Sequence, residues 1–413
     1  MNSLVQARGL QSPAQAGANA WWATIAGFCA SLVGIGLARF AYTPLLPAIV
    51  AAHWFDASAA AYLGAANLAG YLTGALIGRP IAARATDAVA LRSAMALATI
   101  SFFACSWPQS FAWFFAWRFL AGLAGGALMV LAAPAVLAHV SPSRRGLAAG
   151  VIFMGVGIGI VLSGTLVPLL LQRDLRHAWI GLGVLSLVLT AVAWKGWPAE
   201  AGPVQGNAPV RHAHVHAVPA GPLRATYAEY ALNAAGWVPH MIFLVDFIAR
   251  GLGRGLAVGS GYWVLFGMGA TIGPVLAGAL ADRTGFGPAL RIGFILEIFG
   301  VAIPALDPDP SWLIVSSVIV GAFVTGTVPL VLGRIHEILA HHPSRQGPAW
   351  RTATVGFALF QAVAAYGLSF LFAHDGQDYQ LLFVIGAVAM MLALAIDIVA
   401  MIAYREQTAI GGR

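Results

Sequence analysis

From residue 147 to residue 171 the chain carries no charged side chain, and eleven further stretches are nearly as apolar. Each can cross hydrocarbon about 30 Å thick, which takes about 20 residues as a helix. Within hydrocarbon the backbone must satisfy its own hydrogen bonds, which leaves helices or a closed barrel. These runs are rich in Ala, Leu and Gly and lack the ten-residue alternation of barrel strands, so an all-helical polytopic membrane protein is expected. Composition agrees: 9% of residues are charged, against roughly 25% in a soluble domain.

The runs fall at residues 21–50, 57–79, 90–107, 110–138, 147–171 and 178–195, and then at 224–249, 257–281, 289–306, 311–334, 350–373 and 379–404. Residues 196–223 are rich in Gly, Pro and Ala and read as a flexible linker. The expected organisation is a tail (1–20), a six-helix bundle (21–195), the linker (196–223), a second six-helix bundle (224–404) and a short tail (405–413). No compact apolar segment with a cleavage site precedes the first run, which is therefore expected to be an uncleaved span. Cys29 and Cys105 both lie inside apolar runs and read as small packing residues.

Positive charge is biased to one side. The tails, linker and even-numbered loops hold sixteen of the Arg and Lys residues, among them Arg8, Arg84, Arg144, Arg211, Arg283 and Arg345. The odd-numbered loops hold only Arg173, Arg176, Arg250 and Arg254, and collect Asp56, Asp174, Asp307, Asp309, Asp375 and Asp378. Cytoplasmic loops carry the excess of Lys and Arg, so both termini and the linker are expected in the cytoplasm of a bacterial-type inner membrane. This bias accounts for the net charge of +7 without a nucleic-acid partner.

The halves repeat weakly. The second run ends in Gly74-Ala75-Leu76-Ile77-Gly78-Arg79 and the eighth in Gly278-Ala279-Leu280-Ala281-Asp282-Arg283, and Ala-Leu-Arg follows each, at 90–92 and 289–291. A duplicated six-span unit is a common transporter architecture.

Three segments resemble the major facilitator superfamily over residues 21–404. Gly278 to Gly285 is similar to its loop signature of Gly, Asp, Arg and Gly, and Arg118-Phe119-Leu120-Ala121-Gly122 to its fourth-span pattern. Gly36 to Pro47, reading GLARFAYTPLLP, resembles the first span of the YbfB/YjiJ-type branch. The resemblance implies the major facilitator fold, alternating access and a monomer in the bilayer without cofactor. Arg79, Asp282 and Arg283 would then form a cytoplasmic gate. Two features depart from the pattern: Gly78 stands where the first-half signature has Asp, and the fifth span lacks the Gly-Pro pair of the antiporter signature.

Within the spans, charge and polarity single out candidates. Arg39 lies deep in the first span, where a charge costs about 2.5–3.5 kcal/mol or more. Arg118 lies at comparable depth in the fourth. Both guanidinium groups suit a carboxylate or phosphate in a shared cavity; the other reading is that each holds a backbone carbonyl or supports the gate. In the seventh span Glu229 and His240 fall within about 20° of one another, with Asn233 and Gly236 between, which makes one polar stripe. A cavity is the expected place for it, and Glu229 or His240 the expected proton acceptor, against the plainer readings of a solvated helix end and a satisfied core histidine. Asp246 points about 100° away and is set aside. Glu297 and Asp397, in the ninth and twelfth spans, are expected to have structural partners or to be neutral. Tyr42, Trp237 and Tyr366 lie deep enough to form cavity walls, and Gln361 is the polar candidate of the eleventh span.

Rival classes lack their chemistry. His336 and His341 are five residues apart, about 140° around a helix, whereas the zinc-protease pattern needs four. His212, His214 and His216 alternate in a polar tract. No GxGxxG or Walker spacing marks a nucleotide site. The expected function is thus secondary transport of a small solute, with protons as the coupling ion and a small organic anion as the cargo. Alternatives are efflux of an amphiphile and a transport-inactive sensor. The charge bias makes a direct prediction: a single cysteine placed in the 196–223 linker should be labelled by a membrane-impermeant maleimide in inside-out vesicles and not in intact cells. The reverse pattern would overturn the assigned orientation.

Overall fold

Helices account for every apolar run. The computed structural model describes residues 13–141, 144–198, 220–306 and 309–411, and among these there is no strand. Twelve helices are long and apolar enough to cross a membrane. The first six are Ala20–Ala51, Ala57–Arg84, Asp87–Ala104, Phe111–Leu137, Ala148–Leu171 and Leu175–Ala193. The second six are Ala220–Gly251, Leu256–Thr284, Phe286–Leu306, Pro310–Ile338, Pro343–His374 and Tyr379–Ala403. Each coincides with one expected run. The eleventh shifts most, beginning at Pro343 and not at 350, because a proline in the first helical turn gives up no hydrogen bond. Residues 199–219, which include most of the linker and its three alternating histidines, lie outside the described residues, as do Arg8, Asp307 and Arg413. Apolar side chains cover the outer surface, with Val275 and Val399 70% and 65% exposed, as a lipid-facing surface requires.

The first and seventh spans are broken, and sequence explains both breaks. In the first, an α-helix over Pro13–Ser31 passes into a π-helical turn over Leu32–Leu37, and helix resumes at Tyr42–Ala51. Pro44 lacks the N–H group that would reach back to the Phe40 carbonyl across the gap, and Pro47 lacks the one that would bond the Thr43 carbonyl just beyond it. In the seventh, helix ends at Gly236, resumes over Val238–Asp246 with Pro239 in its first turn, and closes in a π-helical turn over Phe247–Gly251. The two halves therefore carry equivalent discontinuities.

Close backbone contact fixes the other helices. The second packs on the fourth, and an ideal Cβ at Gly122 would lie 1.8 Å from the Asn67 carbonyl oxygen. The eighth packs on the tenth in the same manner, with a Cβ at Gly273 falling 1.9 Å from the Ala322 oxygen. Between the halves, the fifth span meets the eighth and the second meets the eleventh. Small residues that let backbones touch are the usual means of helix association in lipid, where no hydrophobic force drives it. The segments 42–51 and 238–246 also pack together, which joins the halves at the end remote from the linker.

A methyl group at Gly273 has no space, whereas nothing lies within 4 Å of one at Gly278. Gly273→Ala should lower the melting temperature in detergent, by overpacking of about 1–3 kcal/mol, and Gly278→Ala should leave it unchanged. Equal melting of the two variants would contradict this packing.

A candidate solute site at the two helix breaks

The gap in the first span frees backbone groups, and buried polar side chains take them up. The Ala38 carbonyl, whose helical donor would have been the N–H of Tyr42, accepts from Arg118 Nη1 at 2.8 Å and from Asn67 Nδ2 at 3.4 Å. Asn67 Nδ2 also donates to the Arg118 carbonyl at 3.1 Å, tying the second and fourth spans to the same point. The Arg118 guanidinium lies 4.3 Å from the centroid of the Tyr42 ring, and Tyr42 donates its hydroxyl to Ala60 O at 2.6 Å. Arg118 is 2% exposed and its Nε has no partner.

Arg39 lies in the gap itself and has different company. Its guanidinium carbon is 5.1, 5.0 and 5.3 Å from the ring centroids of Phe40, Tyr71 and Trp237. Its Nε and Nη2 donate to Met241 Sδ at 3.3 and 3.2 Å. A thioether is a weak acceptor, and the ring faces offer cation–π attraction in place of a counter-charge. Among the described residues the carboxylates in ion pairs engage His177, Arg250, Arg291 and Arg334, never Arg39 or Arg118. Two guanidinium groups are thus buried near the junction of the halves without an anion. Thr43 adds a hydrogen bond from its hydroxyl to the Met241 carbonyl across that junction.

Aromatic rings surround this point. Phe40 lies 6.5 Å from Trp237 and 6.0 Å from Trp263, and Phe357 lies 6.0 Å from Trp237 and 4.6 Å from Tyr230. Gln361, one turn beyond Phe357, is 1% exposed, and neither its oxygen nor its nitrogen has a partner. Tyr366 lies 6.5 Å from Tyr62 of the second span.

The polar stripe of the seventh span turns elsewhere. Asn233 Nδ2 donates to Glu297 Oε2 at 2.7 Å and to Met390 Sδ at 3.3 Å. His240 Nε2 shares a 2.8 Å hydrogen bond with Ser316 Oγ, and its ring lies edge-on to Phe383 at 5.1 Å. Glu229 is 1% exposed with Oε2 unpartnered. The stripe thus faces the ninth, tenth and twelfth spans, inside its own bundle, while Trp237 and Met241 face the first half. The physical reason is that the helical repeat fixes which residues share a face but not which neighbour that face meets, and here it meets helices of its own bundle. Asp397 pairs with Arg291, and Asp246 with Arg250 and the Tyr379 hydroxyl. Arg79, Asp282 and Arg283 are exposed at the linker ends of the second and eighth spans, and none forms an ion pair among the described residues.

Tyr71, Met241 and Asn67 escaped the sequence reading. Asn67 had a signal, being the lone carboxamide deep in the first six spans. Tyr71 and Met241 had none, since an apolar span contains such residues for packing alone.

Broken helices, buried cations and duplicated bundles define a membrane carrier. A family model described as "Uncharacterised MFS-type transporter YbfB" matches residues 31–398, and the chain belongs to that family of transporters. Membership makes it an integral membrane transporter of the secondary type and not an enzyme. The fold is similar to the crystal structure of a D-xylose-proton symporter, with a TM-score of 0.68 and 16% identity over 92% of this chain and 96% of that one. It is also similar to the partially occluded inward-open conformation of the xylose transporter XylE from E. coli, with a TM-score of 0.67 and 13% identity over 92% and 97%. A comparison with curated proteins finds no match.

Arg118 supports the break, so Arg118→Ala should leave the Ala38 carbonyl with one long hydrogen bond. The expected loss is about 1–3 kcal/mol, read as a lower melting temperature. Unchanged melting with altered solute binding would assign Arg118 to the ligand instead.

Proposed function

We propose that the protein carries a small organic anion across a bacterial-type inner membrane by alternating access, with protons as the coupling ion and both termini in the cytoplasm. One observation carries this reading: among the described residues the guanidinium of Arg39, between the two halves, has a thioether and ring faces around it and no carboxylate in an ion pair. A buried cation so placed gains most from an anionic ligand, which would supply the charge-assisted hydrogen bonds now missing. Tyr42, Trp237 and Gln361 would line the ligand, and Arg118 would hold the first-span break against which it rests. The seventh span supplies the second half of the site through Trp237, and Glu229, Asn233 and His240 give that span the titratable or polar groups needed for coupling. Proton and solute need only change each other's binding free energy.

Alternating access requires the bundles to rock about this point. The far-end segments 42–51 and 238–246 are in contact while Asp282 and Arg283 form no ion pair among the described residues, which suits a state open toward the linker side. In the opposite state Arg79, Asp282 and Arg283 would close the cytoplasmic end through charge and helix-terminus contacts. The protein would work as a monomer, each chain containing its own two halves.

Arg39→Gln removes the charge and keeps a polar group. In proteoliposomes with an imposed pH gradient and a panel of radiolabelled mono- and dicarboxylates, the parent protein should accumulate at least one anion. The Gln variant should bind it at least tenfold more weakly, with the same melting temperature. Efflux of a fluorescent amphiphile, unaffected by this change, would favour the amphiphile carrier; absence of all flux would favour a sensor.

A further inference from the structure

Four carboxyl groups are buried within the C-terminal spans, and the chain treats them in two ways. Asp246 and Asp397 are 0% and 5% exposed, and each is held by an arginine, Arg250 and Arg291. Glu229 and Glu297 are 1% and 0% exposed and take part in no ion pair among the described residues. Glu297 accepts one hydrogen bond, from the Asn233 amide at 2.7 Å, and its Oε1 has no partner. An unpaired carboxylate in a lipid-embedded bundle is costly, while a carboxylic acid in the same place is not. Where a permanent negative charge is wanted, this protein provides a guanidinium; at Glu297 it provides a single amide.

We infer that Glu297 is a proton-binding site inside the C-terminal bundle, and that Asn233 and Met390 relay its charge to the break in the seventh span. The inference rests on the proton-coupled reading above and assigns its proton to a residue outside the solute site. The relay consists of direct contacts. Asn233 Nδ2 divides its donors between Glu297 Oε2 and Met390 Sδ, the latter at 3.3 Å. Met390 in turn abuts Gly236, the last residue before the break: a Cβ there would lie 2.7 Å from Met390 Cγ. Trp237, the next residue, carries the ring that faces Arg39 at 5.3 Å. When Glu297 loses its proton, the new charge draws the Asn233 amide away from Met390. Met390 is then free to move against Gly236, and the angle of the break changes where the solute site can feel it. When the proton returns, Asn233 is again shared. Only a proton is bound or released at the carboxyl oxygen; no other bond changes.

The neighbouring groups leave Glu297 as the responsive one. On the seventh span His240 Nε2 is held by Ser316, which itself donates to the Gly300 carbonyl at 2.6 Å, while its Nδ1 has no partner, so a proton there would leave an uncompensated buried cation beside Phe383. Asp397 of the twelfth span and Arg291 of the ninth satisfy one another, and Arg334 of the tenth pairs with Glu337. Asp282 and Arg283 of the eighth are exposed at the linker end. Glu229 lies one helical turn from Asn233 toward that end, with Oε2 unpartnered, a suitable stop for a proton entering from the linker side.

The test needs no identified solute. The full chain is reconstituted in nanodiscs, and infrared difference spectra are taken across a pH series. A protonated-carboxyl C=O band that titrates and shifts on deuteration should disappear in Glu297→Gln, which preserves the acceptor for Asn233. It should persist, shifted, in Asn233→Leu, which keeps the test decisive if the Gln variant does not fold. Spin labels at the exposed positions Ala138 and Ala340, at the linker ends of the two halves, report the conformation. Their distance distribution should move with pH in the parent protein and become independent of pH in Glu297→Gln. An unchanged band in Glu297→Gln, or an unshifted one in Asn233→Leu, would overturn the proton site; a pH-dependent distance surviving in Glu297→Gln would overturn the relay. Failure of the anion assignment at Arg39 would alter neither measurement, so the two readings stand or fall separately.

Discussion

In hydrocarbon a backbone carbonyl without a donor costs several kcal/mol, so a spanning helix can break only where the protein itself supplies the missing hydrogen bonds. The first span is interrupted at Ala38, and Arg118 and Asn67 reach that carbonyl from the fourth and second spans. Those two helices can do so because glycines let their backbones meet: Gly122 lies against the Asn67 carbonyl itself. The close packing, the buried Arg118 and the opened first span are therefore one arrangement. Its product is a short non-helical segment, 38–41, that holds Arg39 at the junction of the halves.

The halves share architecture but divide the charge. Both have a broken leading helix, and both join their second and fourth members through glycines. Among the described residues, the first half places cations without an ion pair near the junction, and the second keeps carboxyls without an ion pair, Glu229 and Glu297, within its own bundle. Direct neutralisation between Arg39 and Glu297 would have been the simplest use of these charges. Their separation leaves the cation free for a ligand and makes any communication pass through the seventh span. That helix is suited to the task, since it touches Arg39 through Trp237 and Met241 and Glu297 through Asn233.

The exposed signature residues fit the same picture. Asp282 and Arg283 lie at the end of a helix whose other contacts, with the fifth and tenth spans, are close and extensive. A residue pair free to engage or release at the end of a rigid element can change partners without disturbing the packing behind it.

The apolar runs by themselves determined twelve helices, because span length and the exclusion of charge follow from the bilayer and need no knowledge of neighbours. The depth of Arg39 and Arg118 was legible for the same reason. So was the need of Glu297 and Asp397 for partners, and Asn233 and Arg291 are those partners. What the linear pattern could not supply was direction. A 100° step grouped Glu229, Asn233 and His240 on one face, but it could not say that this face meets the ninth, tenth and twelfth spans and not the junction of the halves. Nor could it supply partners far away in the chain: the cage around Arg39 joins residues 39, 71, 237 and 241. Whether a buried guanidinium meets a carboxylate, a carbonyl or a thioether is decided by which helices touch, and that is settled by packing across the whole bundle.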